Sequence, residues 1–244
     1  MKRAFGIRVV PCRFRQDNRD YFLDHSANTI SDALTSVKHI GKRVAQALYR
    51  MRNETYACFT DLLYEMTLNP AFDSRAIGIL IRLDYFREFG TPGKLLGVFR
   101  QFQAGEFRFS KTHVAATQEK RLTALRVQEQ NMPEEELPLT ECLRFEAEHM
   151  GTPLTVRESE RAVYVVLEVD NRYTPKLRMY SVATGNVGIM KLKKGSYQAQ
   201  PLEAGNVIFV KDWQRRPAYS FSTGKPRPIP GQQELWLLEY AVLS

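Results

Sequence analysis

Three cysteines, four histidines and no Asp-x-Asp pair among 244 residues set the first limits on this chain. Cys12, Cys58 and Cys142 are odd in number, far apart and without metal-ligand spacing, which argues against a disulfide framework or a zinc site and leaves reduced thiols. His25, His39, His113 and His149 are widely scattered, and a two-metal phosphoryl-transfer centre needs clustered carboxylates that the sequence does not offer. No catalytic residue, metal or cofactor is therefore expected. Long apolar runs are missing too. The stretch over 163–167 is far too short to cross a bilayer, and Met1-Lys-Arg is not followed by a signal-peptide core, so a cytoplasmic protein with no membrane partner is expected. There is no internal repeat or low-complexity tract.

What the chain has in excess is positive charge. A formal net charge of +8 and a pI near 9.4 favour polyanionic partners. Residues 1–130 hold 21 Lys and Arg against 13 Asp and Glu, residues 131–160 hold 2 against 8, and residues 161–244 hold 12 against 6, so two basic regions flank an acidic joint. With 43% hydrophobic residues the chain can bury two small cores. The expected division is a helical domain over 1–130, an acidic linker and helix over 131–160, and a β domain over 161–244.

The most informative stretch is 36–45, Ser-Val-Lys-His-Ile-Gly-Lys-Arg-Val-Ala. Apolar stripes at Leu34, Val37 and Ile40 and at Val44, Ala45 and Leu48 flank Gly41, which predicts helices over 30–38 and 41–53. Gly41 permits a positive φ and lets an anion approach bare backbone at a helix N-terminus, while Lys38, Lys42 and Arg43 add charge there. The pattern resembles a helix-hairpin-helix, which grips the DNA backbone. The same residues also suit an ordinary joint between two helices with solvated lysines beside it.

Further helices are expected over 59–66, 73–83 (capped by Asp73 or Ser74), 92–103 (opened by Pro92), 114–130 and 140–150, after a strand over 5–10 and an arginine-rich arm. Met132-Pro-Glu-Glu-Glu-Leu-Pro138 reads as the linker. From Ala162 the period becomes two, with strands over 162–169, 177–183, 187–193, 205–213 and 235–242 and a long polar connection over 215–233. The fold class is thus α+β multidomain, an all-α helix-hairpin-helix domain followed by a five-stranded OB-like barrel, with an SH3-like barrel or a short sandwich as alternatives.

Phe5-Gly-Ile-Arg-Val-Val-Pro11, Ile30-Ser-Asp-Ala-Leu-Thr-Ser-Val-Lys-His-Ile-Gly41, Phe59-Thr-Asp-Leu-Leu63 and Ile79-Leu-Ile-Arg-Leu-Asp-Tyr-Phe-Arg-Glu-Phe-Gly90 occur in that order. Glu146-Ala-Glu-His-Met-Gly151, residues 177–180, Lys191-Leu-Lys193 and Leu235-Trp-Leu-Leu-Glu-Tyr240 follow. Together they resemble the C-terminal region of the bacterial and phage DNA polymerase III alpha subunit, its helix-hairpin-helix and OB domain, over nearly the whole chain. The sequence departs from that family at His39, where a glycine is usual, and at Cys12, where a second proline is. The family's catalytic palm aspartates, its histidine-rich phosphoesterase-like domain and a clamp-binding peptide have no counterpart here.

The resemblance implies a non-catalytic DNA-binding protein, nucleoid-associated, with duplex and single-stranded DNA as partners and a separate polymerase catalytic chain as a further one. Lys38, Gly41, Lys42 and Arg43 are the candidate phosphate contacts, with His39 either facing a phosphate or packing under the turn. In the barrel, Arg178, Tyr180, Lys191, Lys193, Trp213, Arg215, Arg216 and Tyr219 interleave aromatics with cations, as a single strand requires. Val207 and Phe209 share the parity of Trp213 and point toward its burial; Trp236 and Tyr240 are assigned to the core or outer packing. Two other functions stay open: a replisome protein-interaction scaffold, and a helix-hairpin-helix DNA glycosylase, in which an Asp about as far from the hairpin as Asp61 is catalytic but a base-flipping pocket is also needed.

Overall fold

The computed structural model describes residues 7–110, 112–220 and 226–243. The chain divides into two compact units between Pro138 and Leu139. Among the described residues, no helix is long and apolar enough to cross a membrane.

The first unit opens with β1 (Arg8–Val10), β2 (Phe22–Asp24) and β3 (Thr29–Ser31), where β3 lies between the other two, parallel to β1 and antiparallel to β2. Phe5 and Gly6 of the expected first strand fall outside the described residues. The helix expected over 30–38 is not formed. Thr29 and Ile30, β-branched and suited to a pleated surface, are taken by β3, and only a 3-10 turn follows at Leu34–Ser36. The stripe explains the difference. Leu34, Val37 and Ile40 are spaced by three, the 3-10 period, and consecutive bonds from Val37 N to Leu34 O and from Ile40 N to Val37 O bury all three without an α-helix.

Five helices follow: α1 (Lys42–Met51), α2 (Phe59–Leu68), α3 (Ser74–Arg82), α4 (Pro92–Gln103) and α5 (Ala115–Asn131). Asp73 caps α3 by accepting from Ala76 N at 2.7 Å, and Pro92 occupies the first turn of α4, where its missing N–H costs nothing. The core is built on Leu48, Phe59, Leu62, Leu63, Met66, Leu80, Ile81 and Phe86, all essentially inaccessible. Phe14, Tyr85 and Phe86 meet edge-on beside it. The acidic segment is not a free linker. Glu134 binds Lys94 Nζ at 2.6 Å, Glu136 binds Arg87 at 2.6 Å, and Gly93 N donates to Glu135 O at 2.9 Å, which leaves no room for a Cβ at Gly93. Residues 131–138 therefore belong to the first unit.

The second unit begins with α6 (Leu139–Met150), so the expected separate segment 131–160 is split between the two units. Strands β4 (Val163–Asp170), β5 (Lys176–Ser181), β6 (Val187–Leu192), β7 (Val207–Ser220) and β8 (Arg227–Leu243) close into a barrel in the order β4-β5-β6-β8-β7. β6 and β8 run parallel and every other pair, including the closing β4–β7 pair, is antiparallel. A short helix α7 (Lys194–Ala199) lies between β6 and β7. Val166, Leu177, Met179, Met190, Leu192, Ile208, Val210 and Leu237 fill the interior. A second cluster, Val163, Val165, Tyr180, Val182 and Val207, packs with Leu143 of α6.

Among its described residues, the long connection expected over 215–233 is instead paired. β7 and β8 continue as an antiparallel ribbon, with Arg215 opposite Leu235, Pro217 opposite Gln233 and Ser220 opposite Arg227.

Candidate functional site

In the first unit the chain turns at Lys38–His39 and enters α1 through Gly41. His39 adopts φ 72°, the left-handed conformation that glycine takes most readily. The special backbone position is therefore His39, not Gly41 as expected. Gly41 is extended, with φ −91° and ψ 168°. Its contribution is space: a Cβ built there meets nothing within 4 Å, so the N-terminus of α1 is open.

That N-terminus differs from those of the next two helices. The first turn of α2 is held by the carboxylate of Glu129, and α3 is capped by Asp73. Gly41 has no side chain to cap α1, and the turn it opens carries Lys42 and Arg43 and no acid. Cations at the positive end of a helix dipole are unfavourable, by a few tenths of a kcal/mol to about 1 kcal/mol each, and an arriving anion relieves that repulsion. Lys38, His39, Gly41, Lys42 and Arg43 are all exposed, and among the described residues Lys38, Lys42 and Arg43 have no ion-pair partner. The imidazole of His39 does not pack under the turn: its Nε2 accepts from Arg75 NH2 of α3 at 2.7 Å. Arg75 is brought to this turn from 36 positions away, and no local pattern in the sequence marks it.

In the barrel the eight sequence candidates do not form one surface. Tyr180 is buried, donates its hydroxyl to Thr155 O at 2.9 Å, and has its pKa pushed up to about 12 by burial, so it is a packing residue and not a platform for a base. Lys193 is exposed immediately before α7. Strand register sorts the rest. One row crosses all five strands, with Asp170 opposite Lys176, Lys176 opposite Lys191, Lys191 opposite Trp236, and Trp236 opposite Gln214. Arg216, opposite Glu234, lies on the same side, and Arg178 stands exposed on β5.

Trp236, set aside as packing, is the centre of this face. The Arg216 guanidinium lies 4.8 Å and the Lys191 ammonium 5.9 Å from its ring, while its indole N–H is buried without a hydrogen-bond partner among the described residues. The face is also partly neutralised, by Lys191–Glu234 at 2.5 Å and Arg178–Glu168 at 3.7 Å.

Trp213 and Arg215 belong to the opposite side of the ribbon, in register with Leu237 and Leu235. Val207 is buried, but Phe209, whose parity also pointed Trp213 inward, is itself 43% exposed; Trp213 is 44% exposed, with Arg215 5.9 Å from its ring. Tyr219 is 48% exposed, opposite Pro228. The ribbon thus offers a Trp–Arg pair on each face.

Asp61 lies in the first turn of α2, accepts from Ala57 N at 3.2 Å and pairs with Arg126 Nε at 2.8 Å, so both of its oxygens are engaged within the fold. Among the described residues no group of three or more His, Cys, Asp or Glu is placed to hold a metal ion. Compared with known proteins, the chain matches no protein-family model and no curated sequence.

Proposed function

We propose that this protein binds DNA without catalysing a reaction on it, the first unit gripping duplex backbone and the second holding single strand. The observation that carries the reading is the pairing of a left-handed His39 with an extended, side-chain-free Gly41 at the uncapped, cationic N-terminus of α1. His39 fills the conformational role of the glycine that helix-hairpin-helix turns have at that position, so the departure at His39 leaves the hairpin geometry available. The absence of an α-helix over 30–38 makes this a hairpin entered from a 3-10 turn.

For the barrel, the strand order, the parallel β6–β8 pair and the helix between β6 and β7 support an OB reading over an SH3-like one. On this reading the chain acts as the C-terminal part of a polymerase III alpha-like protein, working with a separate catalytic chain. The ion pairs on the Trp236 face favour a second reading, a replisome scaffold with weak DNA affinity.

Fluorescence anisotropy against single-stranded, duplex and primer-template DNA, as a function of salt, tests both. DNA binding predicts affinity for each DNA and a steep loss with salt as counterions are released. No binding to any of the three at low salt sinks the proposal in favour of the scaffold.

A further inference from the structure

We propose that Arg75 is a phosphate ligand of the α1 hairpin and that His39 is the residue that positions it, which rests on the reading of that hairpin as a duplex-backbone site. A guanidinium has no acceptor, so the 2.7 Å contact requires His39 Nε2 to carry a lone pair, and the imidazole that bonds Arg75 through it is neutral. The residue that makes the left-handed turn thereby carries a second role that glycine cannot perform: it tethers a cation from another helix to the turn.

The root of Arg75 is fixed independently. It is the second residue of α3, whose first turn is locked by the Asp73 cap at 2.7 Å. A guanidinium held at two points loses less freedom on meeting a phosphate than a free lysine does, and its planar fork suits two phosphate oxygens. The bond to His39 uses one of its five N–H donors and leaves others for a ligand.

The test is duplex binding by the full chain at a series of salt concentrations, at a pH of about 8, where free imidazole is neutral. Arg75→Gln removes one phosphate contact. It is expected to make the salt slope shallower by about 0.9 and to weaken binding about eightfold at about 0.1 M salt. His39→Gly keeps the left-handed backbone and removes no charge, so a shallower slope in that variant reports the release of Arg75. The double variant is expected to bind no more weakly than Arg75→Gln alone. Wild-type affinity and slope in Arg75→Gln overturn the ligand role, and an unchanged slope in His39→Gly overturns the positioning role. Lys42→Glu/Arg43→Glu separates this from the underlying reading: if that variant keeps full duplex affinity, the hairpin is not the site and both fall.

Discussion

Glu129 caps a helix that begins 70 residues earlier: its carboxylate accepts from Thr60 N at 2.7 Å and from the Thr60 hydroxyl at 2.6 Å. The other oxygen takes Phe59 N at 2.8 Å, and the glutamate is almost wholly buried. A buried carboxylate that satisfies three donors is strongly coupled to the fold, because its removal strands two backbone N–H groups and a hydroxyl away from water. Glu129→Ala is expected to lower stability by about 2–4 kcal/mol. Urea unfolding followed by circular dichroism checks this; a midpoint within error of the wild type would show that the cap carries little.

At Gly41 stability and binding are expected to move in opposite directions. Aspartate is a good N-cap and favourable at a helix N-terminus, and the site has room for it, so Gly41→Asp should raise stability by a few tenths to about 1 kcal/mol. The same carboxylate repels phosphate from the backbone it caps. Duplex affinity should fall at least several-fold while the melting temperature holds or rises. A variant that binds duplex as well as the parent would remove α1 from the interface.

On the barrel, Glu234 neutralises Lys191 at the foot of Trp236. Glu234→Gln releases that lysine and should strengthen single-strand binding, with a salt slope steeper by roughly 0.7. Anisotropy with an oligothymidine reads both numbers. Weakened binding would mean that the ion pair organises the face rather than masks it.

Alkaline pH supplies a fourth test. Burial raises the Tyr180 pKa to about 12, above the ordinary value near 10 in an unfolded chain. The folded state therefore keeps its proton where the unfolded state has lost it. The stability contributed by the neutral phenol is complete below about pH 10 and is lost as pH rises toward about 12. Tyr180→Phe should show a shallower decline of stability across that window, although it starts lower for want of the bond to Thr155 O. Parallel curves for the two proteins would assign the alkaline transition to other groups.

Much of the architecture was legible in the chain itself. Pro92, Asp73 and the apolar spacing of residues 59–66 announce helices that form within a few residues of expectation, and the change of period after Ala162 announces the barrel strands. These are local signals: a capping side chain acts within a few residues, and amphipathic period records which face is buried. The excess of cations around Gly41 is equally a property of sequence, and all of them are exposed.

Pairing and register belonged to the tertiary structure alone. The run over 30–38 fits a helix by pattern, yet it is divided between a strand and a 3-10 turn because β1 and β2 offer β3 partners from both sides. Tyr180 has the parity of an exposed residue and is buried under its own unit's packing, and the register of β7 on β8, with Trp236 opposite Gln214, puts Trp213 and Trp236 on opposite faces of one ribbon. Since one residue of slip turns every side chain of a strand over, no count along the chain could have assigned those faces. Sequence determined where cations and aromatics are available. Only the fold decided which of them meet, because Glu129 with Thr60 and His39 with Arg75 are joined by contacts across tens of residues that leave no local trace.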